Sequence, residues 1–297
     1  MKKYLIFSFA LLLFATSLPM QAKSNKKEVS LQLYSIRELL GDADKYAKNH
    51  VEVFKQLAAM GYTSVEAANY GGGKLYGVTP QQFKADVEAA GLKVLSSHTT
   101  RALTAEEFKN HDFKAALEWW DECIAAHKAA GMKYIVTPWS GVPSTIKDLQ
   151  TYCDYNNEIG KKCKAAGIGY GYHNHSHEFQ KVEGKEVMLD YMISHTDPNY
   201  VFFEMDVYWT MMGQASPVQY FKKYPGRFTM LHIKDKYEVG QSGMVGYDAI
   251  FNNAKLAGLK DFVVELEGTD GAPIMEGVRT SVNYLLNAPF VKASYSK

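Results

Sequence analysis

Cysteine is scarce in this chain: only Cys123, Cys153 and Cys163 occur. An odd count excludes a fully paired disulfide framework, and the spacings suggest no thiolate metal site. Cys153 and Cys163 fall on one helical stretch, ten positions apart, which separates them by roughly 15 Å, too far for a bridge. All three are expected to be buried thiols. An excess of one charge is also missing. The formal net charge is +1, which excludes the strongly basic face of a broad nucleic-acid footprint. No GxGxxG loop follows the first expected strand, where Ile36-Arg37-Glu38 stands instead, and this argues against an open dinucleotide-binding sheet. Gly71-Gly72-Gly73 lacks that spacing and reads as a flexible loop. The apolar run from Tyr4 to Leu13 is too short to favour a membrane span. With Lys2 and Lys3 before it and Met20-Gln21-Ala22 after it, it reads as a secretory signal peptide. Residues 1–22 are thus expected to be removed, leaving 23–297 as one domain that works in the periplasm or outside the cell. No cysteine lies near the cleavage site, so no lipid anchor is indicated.

What the chain does have is a repeated unit. AAMGYTSVEA, AAGLKVLSSH, AAGMKYIVTP, AAGIGYGYHN and LAGLKDFVVE each join a helix end to a Gly and then a strand. Ala suits the last helical turn, Gly supplies the left-handed residue that stops it, and β-branched and aromatic residues favour the strand. Filling the gaps predicts eight strands, over 29–35, 64–67, 93–98, 134–139, the start of GYGYHNHSHEF at 169–179, 201–206, 228–234 and 262–267. The intervening helices are expected near 51–60, 80–90, 105–130, 146–166, 187–194, 217–223, 247–257 and 273–286. Eight alternating units imply a parallel sheet closed into a (β/α)8 TIM barrel.

Active sites of such barrels lie at the C-terminal strand ends. Two-residue alternation puts Gln32 and Tyr34, Ser64 and Glu66, Ser96 and His98, and Thr137 and Trp139 at the first four ends. His173 and His175, Glu204 and Asp206, His232 and Lys234, and Glu265 and Glu267 stand at the last four. Imidazoles among carboxylates suit one divalent ion, Mn2+, Zn2+, Co2+ or Mg2+, with open positions for a substrate's oxygens. Spare carboxylates or Lys234 could move protons. Tyr34, Trp139, Tyr208 and Trp209 add aromatic surface suited to sugar rings.

These residues carry a resemblance. LQLYSIR, YHNHSHEF, EMDVYW, GRFTMLHIKD and VVELEG, in this order between about residues 28 and 286, are similar to the sugar phosphate isomerase/epimerase family of xylose isomerase-like TIM barrels. The resemblance implies one divalent ion held by Glu, Asp, His and Glu from strands five to eight. Asp206, His232 and Glu265 match the last three, with Glu267 a near alternative. At the first position this chain carries His173, and Glu178, five residues on, could fold back in its place. One of the family's two proton-transfer glutamates is thereby missing, and His175, Glu178 or Lys234 could take over alongside Glu265. His98 looks like a substrate contact, as do Tyr34, Glu66, Trp139 and Trp209. The expectation is an exported, metal-dependent isomerase or epimerase acting next to a carbonyl on a small carbohydrate. A keto-sugar lyase or hydratase on the same centre, and a non-catalytic carbohydrate-binding barrel, are its rivals.

Overall fold

The computed structural model describes residues 26–296; the expected signal peptide lies outside them. Eight parallel strands form a closed barrel in chain order. They are β1 (Ser30–Gln32), β2 (Ser64–Ala67), β3 (Lys93–His98), β4 (Tyr134–Thr137), β5 (Gly169–His173), β6 (Val201–Asp206), β7 (Met230–Ile233) and β8 (Asp261–Val264). The main outer helices are α1 (Ala43–Met60), α2 (Pro80–Ala89), α3 (Lys114–Ala129), α4 (Ile146–Ala166), α5 (Met188–His195), α6 (Pro217–Lys223), α7 (Tyr247–Asn252) and α8 (Ile274–Asn287). Their starts are written locally. The side chains of Asp42, Thr79, Thr145 and Ser216 each accept a bond from an amide of the first turn, satisfying donors a helix leaves free. Gly61 and Gly167 stop α1 and α4 at φ values of 109° and 79°, the left-handed region that glycine enters without strain.

The barrel floor is apolar. Leu95, Val136, Met230 and Val263 pack there with Tyr134 and Phe202. Gly171 makes the layer possible, since a Cβ at that position would come within 2.4 Å of the Phe202 ring. Above this floor the inward positions turn polar. β3 achieves both with a bulge: Val65 pairs with Val94 but Glu66 with Ser96, so Leu95 joins the floor while Ser96 bonds Glu66 above it. The extra residue re-aims the strand end.

Several elements depart from the sequence expectation. β1 stops at Gln32 because the Gln32 side chain captures the Tyr34 amide at 3.0 Å and starts a 3-10 turn over Leu33–Ile36. Tyr34 is therefore on a turn and not on a strand. Gly71-Gly72-Gly73 is not a loose loop. Tyr70–Gly71 and Lys74–Leu75 pair as a hairpin, and Gly72 and Gly73 take its turn at φ 55° and 75°. The helix expected over 105–130 breaks in two at His111, whose φ is 52°, giving Ala105–Asn110 and α3. α1 starts eight residues before the expected Val51. β5 ends at His173, so alternation does not extend to His175. All three cysteines are buried and free, and among the described residues no helix is long and apolar enough to cross a membrane.

Candidate active site

Register brings the site together. His173 on β5 lies beside Glu204 on β6, and Asp206 lies beside His232 on β7. All four side chains face the barrel axis, are at most 1% exposed, and stand above the apolar floor. Two overlapping sets result, each with donor atoms within 4.8 Å of one another: His173, Asp206, His232 and Glu265, and below them His98, His173, Glu204 and His232.

The lower set is paired in part. His98 Nε2 lies 2.7 Å from Glu204 Oε2, and His232 Nε2 lies 2.8 Å from Glu66 Oε1, while Glu204 Oε1 is buried without a partner. The upper set is open as well. Asp206 Oδ1 accepts the Trp209 amide at 2.7 Å, but its Oδ2 is buried without a partner, as is His173 Nδ1. Buried polar atoms of this kind are costly unless a ligand completes them. Two imidazoles and two carboxylates form a donor set that suits Zn2+, Co2+ or Mn2+, so these residues fit the implied ion.

The titratable groups of the site shift in opposite directions. Burial pushes Asp206 up to about 7, with Lys234 partly opposing it. Burial acts against charge on Glu265 too, yet His232 and Lys234 outweigh it and hold that carboxyl well below the usual range. Burial, with His232 and His98 nearby, drives His173 well below the ordinary imidazole value, so it stays neutral. His232 goes the other way: burial lowers it, but Glu204, Glu265 and Glu66 together raise it well above.

The mouth above is lined by residues of both expected roles. His175 is held neutral chiefly by burial, and its Nδ1 has no partner. Its ring lies 5.8 Å from that of Trp209, and the Lys234 ammonium lies 5.8 Å from the same indole. Lys234 also sits 3.3 Å from Glu267 and 3.9 Å from Glu265. Trp139 is half exposed and stands over His177 and His175 at 4.2 and 5.4 Å between ring centroids. Tyr34, 47% exposed, stacks on Arg37 at the rim, where Arg37 also reaches the Glu267 carbonyl.

Two expectations are corrected. Glu178 does not fold back towards the ion group. Its Oε1 accepts the Tyr172 hydroxyl at 2.9 Å, its Oε2 accepts the His175 amide at 2.8 Å, and His177 Nε2 lies 3.1 Å away. It is a fully buried anchor of the β5 loop and is removed from the ligand and proton-transfer candidates. Glu66, expected as a substrate contact, lies below the mouth among donors of the fold. It is 0% exposed and takes bonds from Gln32, Ser96 and His232. Glu267, in turn, belongs to neither ion group, which leaves Glu265 as the strand-eight member. Sequence reading placed Glu204 on the correct face but gave it no role; its signal was a shared parity with Asp206. His177, which joins the aromatic wall, lies beyond the strand where alternation has no meaning.

Comparison with known proteins fits this geometry. Residues 54–288 match the family model of the xylose isomerase-like TIM barrel. Two sugar phosphate isomerase/epimerase structures from Parabacteroides distasonis are similar. One is 37% identical with a TM-score of 0.80, covering 90% of this chain and 100% of its own. The other is 34% identical with a TM-score of 0.81, covering 91% and 99%. The IOLI protein with a bound zinc atom shares the fold, at 15% identity and a TM-score of 0.65 over 91% of this chain and 100% of its own. Among curated proteins none matches. The family model spans most of the barrel and the two similar structures cover nine-tenths of this chain, so the chain belongs to the xylose isomerase-like TIM barrels.

Proposed function

We propose that this chain is an exported, metal-dependent sugar isomerase or epimerase that moves a proton at a carbon next to a carbonyl. The observation that carries the reading is the convergence of His173, Asp206, His232 and Glu265 within 4.8 Å, with two buried atoms left open among them. The similarity to sugar phosphate isomerase/epimerases at 37% and 34% identity supports the reaction class. The signal pattern at the N-terminus supports export, and an exported enzyme meets few phosphorylated metabolites, so the substrate is an unphosphorylated or glycosidic sugar.

A bound divalent ion would polarise the substrate's carbonyl oxygen as a Lewis acid. The chain's own residues do the rest. The half-exposed Trp139 and the Trp209 indole offer faces to a sugar ring. Neutral His175, with its free Nδ1, can take the proton from the carbon beside the carbonyl. Lys234 Nζ, 5.8 Å from the Trp209 indole, is placed to return a proton. Delivery to the opposite face re-forms the C–H bond with inverted configuration, which is epimerisation; delivery to the former carbonyl carbon, with the neighbouring hydroxyl giving its proton to the former carbonyl oxygen and becoming the new carbonyl, is isomerisation.

One observation favours a second reading. With His173 at the family's first glutamate position and Glu178 withdrawn into the loop, Glu265 is the one glutamate left in the upper set. A single abstraction suffices for elimination: the C–H bond beside the carbonyl breaks, its electrons form a C=C bond to the next carbon, the C–O bond on that carbon breaks, and the departing alcohol takes the proton. Keto-sugars and their glycosides incubated in D2O separate the two. Deuterium incorporated without loss of any group supports epimerisation, and release of the aglycone supports the lyase. The metal itself is tested directly. Asp206→Ala and His232→Ala are each expected to lose the ion found in the wild type by elemental analysis, and unchanged metal content in both would sink the reading.

A further inference from the structure

Beneath the proposed ion group lie two glutamates that the reaction does not use. Glu66 and Glu204 are both 0% exposed. A buried carboxylate is costly unless strong donors surround it, and each of these two faces a histidine. Glu66 Oε1 is 2.8 Å from His232 Nε2, and Glu204 Oε2 is 2.7 Å from His98 Nε2. The crossed distances, Glu66 to His98 and Glu204 to His232, are both 3.2 Å. The His98 and His232 rings stack at 4.9 Å with 8° between their planes. Two parallel imidazoles therefore turn the same edge, Nε2, down onto a pair of carboxylates.

That orientation has a chemical consequence. An ionised carboxylate only accepts, so the ring nitrogen facing it carries the hydrogen. A histidine can offer a cation only a nitrogen without one. With hydrogen kept on Nε2, His232 has Nδ1 to give, and Nδ1 is the atom that faces Glu265, at 3.4 Å. A ligand histidine whose far nitrogen donates to a carboxylate is a known way of fixing ring orientation and hydrogen placement at metal sites.

Glu66 is itself held by donors from both neighbouring strands. Gln32 Nε2 donates to its Oε1 at 2.7 Å and Ser96 Oγ donates to its Oε2 at 2.6 Å. The Gln32 amide cannot flip without loss, because its own Oε1 accepts the Tyr34 amide at 3.0 Å. Ser96 is aimed inward by the β3 bulge. Three strands thus fix one carboxylate, and that carboxylate reaches across to a histidine on β7.

We infer that Glu66 is a positioning residue: it holds His232 in the form with hydrogen on Nε2, so that Nδ1 faces the cation site. The inference rests on the metal reading above. It assigns Glu66 no contact with substrate and explains why a buried carboxylate sits below the ion group.

The test is Zn2+ affinity, measured against a competing chelator, in the wild type and in Glu66→Gln, with circular dichroism to check the fold. The substitution keeps the side chain's shape but removes the charge that selects hydrogen on Nε2, so the dissociation constant is expected to rise about 10–100-fold. A value within about threefold of wild type would overturn the assignment. A second measurement needs no variant. Long-range 1H–15N spectra of the 15N-histidine-labelled, Zn2+-loaded wild type should show His232 bound through Nδ1 with Nε2 protonated; coordination through Nε2 would overturn it independently. If the wild type binds no Zn2+, or Asp206→Ala binds it equally well, the metal reading fails, and Glu66 loses this role with it. If wild-type binding depends on Asp206 but not on Glu66, the inference alone fails.

Discussion

Individual residues here carry two kinds of burial. Some buried polar groups complete the fold and some await a partner, and the hydrogen bonds tell them apart. Glu178 belongs to the first kind. Glu178→Ala would strip the acceptor from the Tyr172 hydroxyl and the His175 amide, at about 1–3 kcal/mol for each group left unpaired. Urea unfolding should show that loss while bound metal stays unchanged; a loss of metal would return Glu178 to the ligand set. His127 is another fold-completing group. It is fully buried, bonded to the Cys123 carbonyl and close to Thr99, and burial lowers it from 6.5 to about 4. Between those values the folded chain binds fewer protons than the unfolded one. Its contribution is thus present above about pH 6.5 and disappears as pH falls towards 4. The span corresponds to about 3 kcal/mol. Denaturation midpoints between pH 7.5 and 4.5 should fall less steeply in His127→Gln than in the wild type, and equal slopes would refute the claim. The identity of Asp206, His173, His232 and Glu265 as inward-facing neighbours was legible residue by residue, because alternation along a strand is rigid. The fates of Glu66 and Glu178 were not, since each depends on donors arriving from other strands or from a folded loop.

At the scale of elements, helix ends and strand cores could be read from local chemistry, and strand ends could not. Caps such as Thr145 and stop glycines such as Gly61 are short-range signals, although the Asp42 cap was missed and its helix expected only from Val51. The end of β1 is set by the Gln32 side chain competing for the Tyr34 amide, a choice the residue type does not announce. The β3 bulge is likewise invisible to a two-residue period, yet it lets Leu95 and Ser96 serve different layers. Gly171 shows how closely those layers fit. Gly171→Ala would drive a methyl group into the Phe202 ring, and overpacking of this kind costs about 1–3 kcal/mol. Phe202→Leu in the same chain should recover part of the loss, and a double-mutant cycle on unfolding free energies measures the coupling. Strict additivity would mean the two side chains do not compete for that space.

For the whole molecule, barrel closure is what converts eight separate strand ends into one site. The repeated helix–Gly–strand unit made the closed barrel legible, but the distances between β2 and β7 or between β5 and β8 exist only after closure. Closure also concentrates ionisable groups where they are buried, which opposes stability in the ion-free protein. Asp206→Asn isolates that conflict. Asparagine keeps the oxygen that caps the Trp209 amide and removes only the charge. The Asp206 carboxyl is raised to about 7 by burial, above its unfolded value, so ionising it at pH 8 weakens the fold. Without metal at that pH, Asp206→Asn is expected to be more stable than wild type by about 1–4 kcal/mol. An ion that binds only the folded state adds about 2.7 kcal/mol at one hundred times its dissociation constant, so wild-type unfolding should shift upward as Zn2+ is added. The variant, having lost a ligand, should not follow. Stability gained without the ion and responsiveness lost with it, measured by thermal unfolding in chelator and in Zn2+, would show that the fold keeps Asp206 for binding and not for folding. A variant that is less stable in chelator, or that still responds fully to Zn2+, would show the reverse.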